Sequence, residues 1–231
     1  MEAKQFEGKT LRYIAAEPDG YDPARKYPMI ILLHGFGAHM GDLVSLAPAI
    51  DPEGYVYIFP NAPIPFEIGP GMTGFGWTQP RRIPQELRRA EDIDQVVDML
   101  ASLVDEVTEQ YPTDPGKIIL GGFSQGGMMT YRYGLPNPQL FKGLAALSGV
   151  APDEDTIRDR LPDDRSQPIF VAHGTGDTVI EVQMARDTRD FLQSEGYAPE
   201  YHEYIMAHEI SQQTLTDLSE WIKKTLPPAG S

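Results

Sequence analysis

The chain has 231 residues, and 19 Lys and Arg against 34 Asp and Glu give a formal net charge of −15. A surface that acidic repels nucleic acid and anionic lipid headgroups, which argues against both as partners. With no Cys, disulfides, thiolate metal sites and a cysteine nucleophile are excluded, while 41% hydrophobic and 23% charged residues are those of a soluble globular protein.

The length suits one large domain or two small ones and is enough for a full core without staples. Met1-Glu2-Ala3-Lys4-Gln5 shows no apolar stretch behind a basic cap, so no secretory signal and a cytoplasmic location are expected. No run reaches the roughly 18 apolar residues of a membrane span.

In chain order, residues 11–16 read as a first strand. Tyr27 to Leu33 is a continuous apolar run ending in His34-Gly35, as suits a strand buried on both faces of a parallel sheet. Residues 54–59 form a second such run, stopped by Pro60-Asn61. Residues 61–84, rich in Pro and Gly with interleaved apolar side chains, read as a long irregular loop. From Leu87 the period becomes helical, through Ile93, Val96, Leu100, Leu103 and Val107, and ends before Tyr111-Pro112. Strands are expected at 117–121, 143–147, 168–172 and 200–205, and helices at 125–133 and 181–195. Ser211 is a good N-cap for a last helix. This alternation, without repeats or linkers, implies one α/β domain with a mostly parallel sheet covered on both sides. Residues 227–231 should form a flexible tail.

The sharpest signal is Gly122-Phe123-Ser124-Gln125-Gly126-Gly127, a G-x-S-x-G between an expected buried strand and an expected helix. Reversing a strand into a helix within a few residues strains the backbone at the serine. Flanking glycines, lacking Cβ, leave room for the turn. The turn lifts the Ser124 hydroxyl clear of the sheet and aims the free N–H groups of the helix at the reacting carbonyl.

A serine nucleophile needs a base, and the base needs an acid to orient it. Hydrolases built on this turn run Ser, then Asp or Glu, then His. Downstream of Ser124 stand His173, His202 and His208. His202 falls mid-strand, and His173 precedes a candidate acid. His208 follows the last strand at the carboxyl edge of the sheet, where open α/β folds keep their ligand sites, and is assigned as the base. For the acid, Asp177 competes with Asp153 and Asp155, each in a loop after a late strand. His34-Gly35-Phe36-Gly37 follows an early central strand, where this architecture places its second oxyanion donor. The backbone N–H groups of Phe36 and Gln125 are therefore the candidate oxyanion hole. No H-E-x-x-H, Cys or phosphate-cradling glycine motif appears, so neither metal nor cofactor is expected.

Taken together, His34-Gly35-Phe36-Gly37 with Asp42-Leu43, Gly122 to Gly127, His173-Gly174-x-x-Asp177-x-Val179 and His208-Glu209-Ile210 resemble the phospholipase/carboxylesterase family of α/β-hydrolases. That family includes acyl-protein thioesterases and small bacterial carboxylesterases. The motifs run in family order across nearly the whole chain. The resemblance implies a single-domain α/β-hydrolase over residues 1–226, with a mostly parallel sheet, helices on both faces and no large lid domain. It implies Ser124, Asp177 and His208 as the triad and so selects Asp177 over its competitors. Ile180-Glu181 stand where the family usually has a Pro after the Val, and Ala207 where it usually has Gly. Residues 61–84 fall where the family shapes its substrate groove, which makes Phe66, Ile68, Met72, Phe75 and Trp77 candidate acyl-groove residues.

The expected activity is a serine carboxylesterase acting on short- to medium-chain esters through an acyl-enzyme. The alternatives are an acyl-protein thioesterase or lysophospholipase-like hydrolase and, from another class, a non-catalytic binding module of the same fold. A small-molecule ester is the expected partner, with no nucleic acid, no stable membrane insertion, and a homodimer as the candidate assembly.

Overall fold

The computed structural model describes residues 1–79, 90–152 and 154–230, with the backbone alone for 90–92 and 154. The chain begins with an antiparallel pair, β1 (Glu2–Glu7) and β2 (Arg12–Glu17), followed by β3 (Met29–Leu33), a short α1 (Leu46–Ile50) and β4 (Val56–Pro60). A two-stranded hairpin, β5 (Ile64–Gly69) and β6 (Met72–Gly76), stands apart from the main sheet. Next come α2 (Ala90–Gln110), β7 (Ile118–Phe123), α3 (Gln125–Gly134), β8 (Gly143–Leu147) and a one-turn α4 (Glu154–Ile157). The chain closes with β9 (Ile169–Gly174), α5 (Val182–Ser194), β10 (Glu200–Tyr204) and α6 (Gln212–Thr225).

The main sheet has eight strands in the order β1-β2-β4-β3-β7-β8-β9-β10. From β4 to β10 every neighbouring pair is parallel, and β2 joins β4 antiparallel. The apolar run of β3 is buried along its whole length because its side chains alternate between two cores. Met29, Ile31 and Leu33 meet α2, α3 and α5 through residues such as Leu100, Met129 and Phe191. Ile30 and Leu32 face the opposite layer, where α1 supplies Ala47 and Ile50 and α6 supplies Leu218, Trp221 and Ile222. Two covered faces are what a mostly parallel sheet requires, so the α/β expectation holds. Ser211 caps α6, its hydroxyl accepting from the Thr214 N–H at 3.2 Å. Among the described residues no helix is long and apolar enough to cross a membrane.

Three expectations change. β1 is a strand the sequence reading passes over. Its only large apolar side chain is Phe6, whose ring stacks on Tyr13 at 5.1 Å, because it forms an exposed edge. Residues 64–76, read as irregular loop, form the β5–β6 hairpin, turning at Gly71 with φ +73°. The segment 227–230, expected to fray, lies along Gly54, where the Ala229 N–H donates to the Gly54 carbonyl at 2.9 Å. The start of the long helix at Leu87 and the competing acid Asp153 lie outside the described residues.

Candidate active site

β7 ends at Phe123 and α3 begins at Gln125, so Ser124 alone turns the chain. It does so at φ 55° and ψ −116°, a left-handed conformation costing a non-glycine residue about 1–3 kcal/mol. The turn is held by two bonds: the Ser124 N–H donates to Leu147 O at 2.8 Å, and Ser124 O accepts from the Met128 N–H at 3.1 Å. A Cβ on Gly122 would collide with the Gly126 carbonyl, and one on Gly126 with the Leu33 carbonyl. Both glycines are therefore sterically required, for the reason expected from the motif.

His208 sits in the loop after β10, its ring 4.9 Å from that of Phe123. Its Nδ1 lies 2.6 Å from Asp177 Oδ2 and its Nε2 lies 2.8 Å from Ser124 Oγ. A carboxylate only accepts, so Nδ1 carries the proton and Nε2 is left to accept from the serine hydroxyl. Asp177, buried in the loop after β9, accepts through Oδ1 from the N–H groups of Val179 at 2.8 Å and Ile180 at 2.9 Å. Burial alone would raise its pKa, but the Ile180 N–H, the His208 ring and the Val179 N–H together hold the carboxyl below the usual carboxylate range. Ile180 therefore supplies a donor that a proline at that position could not. The Asp177 and His208 loops are tied by bonds from Thr175 N–H to Tyr204 O, 2.8 Å, and Gly176 N–H to Met206 O, 3.1 Å.

His173, fully buried, lies below this acid. Its Nε2 donates to Ile180 O at 2.8 Å and is 3.4 Å from Asp177 Oδ2. His202 stays out of the site, stacked between Phe170 and Tyr204. Asp155 is exposed in α4 and has no part in the series.

The loop carrying Phe36 passes directly beside the serine, since a Cβ on Gly35 would lie 3.4 Å from Ser124 Cβ. Gln125 is the first residue of α3, so its N–H has no intrahelical acceptor. Among the described residues neither this N–H nor that of Phe36 meets a backbone acceptor, whereas the next two, Gly37 and Ala38, donate to Phe75 O and Gly35 O. The hairpin is spliced to this loop by a return bond from Phe75 N–H to Ala38 O at 2.9 Å. Gly74 packs so closely on Gly37 that a Cβ there would strike its backbone.

The five expected groove residues do not act as one wall. Phe66 packs on Phe36 with ring centroids 4.9 Å apart, and Ile68 and Met72 are exposed nearby on the hairpin. Phe75 pairs with Pro65, one register position from Phe66, and so faces the other way, under the Arg12 guanidinium. Trp77 is fully buried: its indole N–H donates to His34 O at 2.8 Å and its backbone N–H to Gln125 Oε1 at 2.7 Å. Trp77 is thus an anchor rather than a groove surface. The Gln125 amide continues to Thr78, 2.6 Å from its hydroxyl, and clamps the chain leaving the hairpin.

His34 is buried and structural. Its Nε2 accepts from the Ala62 N–H at 3.0 Å, so Nδ1 carries the proton and donates to Gly35 O at 2.7 Å. Burial pushes its pKa below the ordinary 6.5, although the Gly35 carbonyl works the other way. A folded-state value below the unfolded one contributes stability that is complete above about pH 6.5 and drains as pH falls below it. His34→Gln should therefore be less stable than wild type at about pH 7, with the gap in melting temperature narrowing toward about pH 5. A gap that stays constant across melting curves in that range would refute the assignment.

A cavity of about 330 Å³ opens beside Gln125, between α3, the loop after β8 and the start of α5. Met128, Arg132, Val150 and Met184 are among its lining residues. No periodicity or motif points to it, because it forms only where several separate elements meet, Thr78 after the hairpin, Ile93 of α2 and Thr156 of α4 included. Phe36, Ile68, Met72, Val179, Met184 and Ile205, the exposed large hydrophobics of the described chain, all follow carboxyl ends of parallel strands and ring the same edge of the sheet.

A doubly covered parallel sheet with a Ser–His–Asp series on its carboxyl edge defines an α/β-hydrolase. The chain belongs to the phospholipase/carboxylesterase family, whose model matches residues 21–226. It is 31% identical over 183 residues to acyl-protein thioesterase 1 of Neurospora crassa, covering 74% of each chain. It is 28% identical over 182 residues to carboxylesterase SOBER1 of Arabidopsis thaliana, covering 76% of this chain and 79% of that one. The crystal structure of esterase PE8 shares the fold, with a TM-score of 0.79 at 22% identity over 98% of this chain and 100% of its own.

Proposed function

We propose that the protein is a serine carboxylesterase acting on short- to medium-chain carboxylic esters. The observation that carries this reading is the unbroken series from Ser124 Oγ through His208 to Asp177, at 2.8 and 2.6 Å. Ser124 attacks the ester carbonyl as His208 Nε2 takes its proton, and Asp177 stabilises the imidazolium. The Phe36 and Gln125 N–H groups receive the oxyanion. The proton then passes to the departing alcohol, leaving an acyl-enzyme, and water attacks by the same route in reverse. A second reading, thioester hydrolysis, is supported by relatives named acyl-protein thioesterase. Ester and thioester share one tetrahedral intermediate, so the series serves both.

The test is kcat/KM for p-nitrophenyl esters from acetate to dodecanoate, beside an acyl-thioester of matched length. Hydrolysis of the esters, with a fluorophosphonate labelling Ser124 alone, is the expected result. Preference for the thioester would favour the second reading, and label elsewhere would overturn both. Phe66→Ala and Met72→Ala should flatten the response to chain length, on the acyl or the alcohol side, with little loss of stability. Each methylene leaving water is worth about 0.8 kcal/mol. If both profiles keep their shape, the hairpin face does not touch substrate.

A further inference from the structure

The cavity beside Gln125 is walled mostly by apolar side chains, and among its described lining residues Arg132 is the charged one. Gln125, Met128 and Arg132 lie on one face of α3, at spacings that stack side chains along a helix. Arg132 is mostly buried, and its Nε has no acceptor among the described residues. Among the described residues the only carboxylate paired with it is Asp94, 3.4 Å from Nη2, and the same Asp94 oxygen is also 3.3 Å from Arg160 Nη1. Among the described residues, one carboxylate is thus shared at long distance between two guanidinium groups. The accessible part of the Arg132 side chain fronts the cavity, whereas its Nε is enclosed by protein. A chain with a net charge of −15 makes that cation conspicuous.

We infer that Arg132 is a specificity-determining residue that selects acyl chains ending in an anionic group, a dicarboxylic acid half-ester being the substrate class. This rests on the esterase reading above. The acyl part is the one placed in the cavity because the leaving group must face His208, and no residue of the His208 loop lines that space. Seven residues separate Gln125 from Arg132, a rise of roughly 10 Å. Side chains on a helix lean toward its N-terminus, which brings the guanidinium back toward the reacting carbonyl. The span suits an acyl chain of intermediate length with a carboxylate at its end. Arg132 would take that carboxylate through its Nη groups, a charge-assisted pairing that guanidinium favours. The adjoining lobe of about 240 Å³ ends at Asp187 and so repels the same group.

The test compares p-nitrophenyl hexanoate with the mono-p-nitrophenyl ester of adipic acid, which differs by its terminal carboxylate. The ratio of kcat/KM, adipate half-ester over hexanoate, should fall about tenfold or more in Arg132→Gln and recover in part in Arg132→Lys. Hexanoate hydrolysis should persist in both. Should Arg132→Gln fail to fold, Met128→Glu puts a negative charge on the same wall and should depress the half-ester selectively. A ratio unchanged in the folded variants overturns the inference while hexanoate turnover leaves the esterase reading intact. If wild type hydrolyses neither ester, the esterase reading falls, and titration of monomethyl adipate into the protein still decides the anion site. Binding lost in Arg132→Gln supports it, and binding that is absent or indifferent to Arg132 overturns it.

Discussion

Ser124→Ala should lose about 10⁴–10⁶ in kcat on any ester the wild type accepts, the size of loss seen when a triad nucleophile is removed. The fold should be untouched. The hydroxyl is half-buried, and the bond the structure gives it is to His208 Nε2. The two bonds that hold the turn come from the Ser124 backbone, which alanine retains. The variant should thus melt within about 0.5 kcal/mol of wild type, as substitutions clear of the core do. Turnover in the burst and steady state, a fluorophosphonate label and a melting curve settle the matter. A folded variant keeping a tenth of wild-type turnover would sink the serine mechanism.

Trp77→Ala should cost about 3–5 kcal/mol, the range for emptying a buried aromatic site. In a domain of this size that corresponds to a drop of roughly 10 °C in melting temperature. Two effects add. The indole leaves a void in the core under α2, and the His34 carbonyl loses the donor it holds at 2.8 Å. Trp77→Phe fills most of the void but leaves that carbonyl unpaired, so it should cost about 1–3 kcal/mol. If Trp77 is the anchor the geometry makes it, Trp77→Phe keeps the chain-length profile of the wild type. A Trp77→Ala protein that melts with the wild type would return Trp77 to the substrate groove.

The sheet was legible because its strands are short apolar runs and its helices amphipathic stretches between them, and burial on both faces needs little else. The site was legible where one local signal met its context. G-x-S-x-G between strand and helix pointed to Ser124, and the position after the last strand pointed to His208. Asp177 was not separable from Asp153 and Asp155 by residue type or loop position, and only the likeness of motifs chose it. The hairpin escaped because strand patterning assumes that side chains do the packing. In β6 it is Gly74 that meets the Gly37 backbone, and a contact made by absence of a side chain reads as loop. Arg132 and its cavity escaped for a different reason: helical spacing places Gln125, Met128 and Arg132 on one face, but nothing in that spacing says the face is open rather than covered.

The splice between the hairpin and the Phe36 loop sets a rule for engineering this scaffold. Phe75 trades backbone bonds with Gly37 and Ala38 on one side and Gly74 lies on Gly37 on the other, so the inner strand is a fixture of the Phe36 loop. Residues 69 to 73 lie beyond that fixture and can be randomised for new specificities without disturbing the backbone of residues 35–38. Exchanging the whole insert for that of a homologue is a different operation. Such a graft carries a foreign strand into contact with Gly37, and chimaeras will keep their rate only when residues 35–38 travel with the hairpin as one cassette.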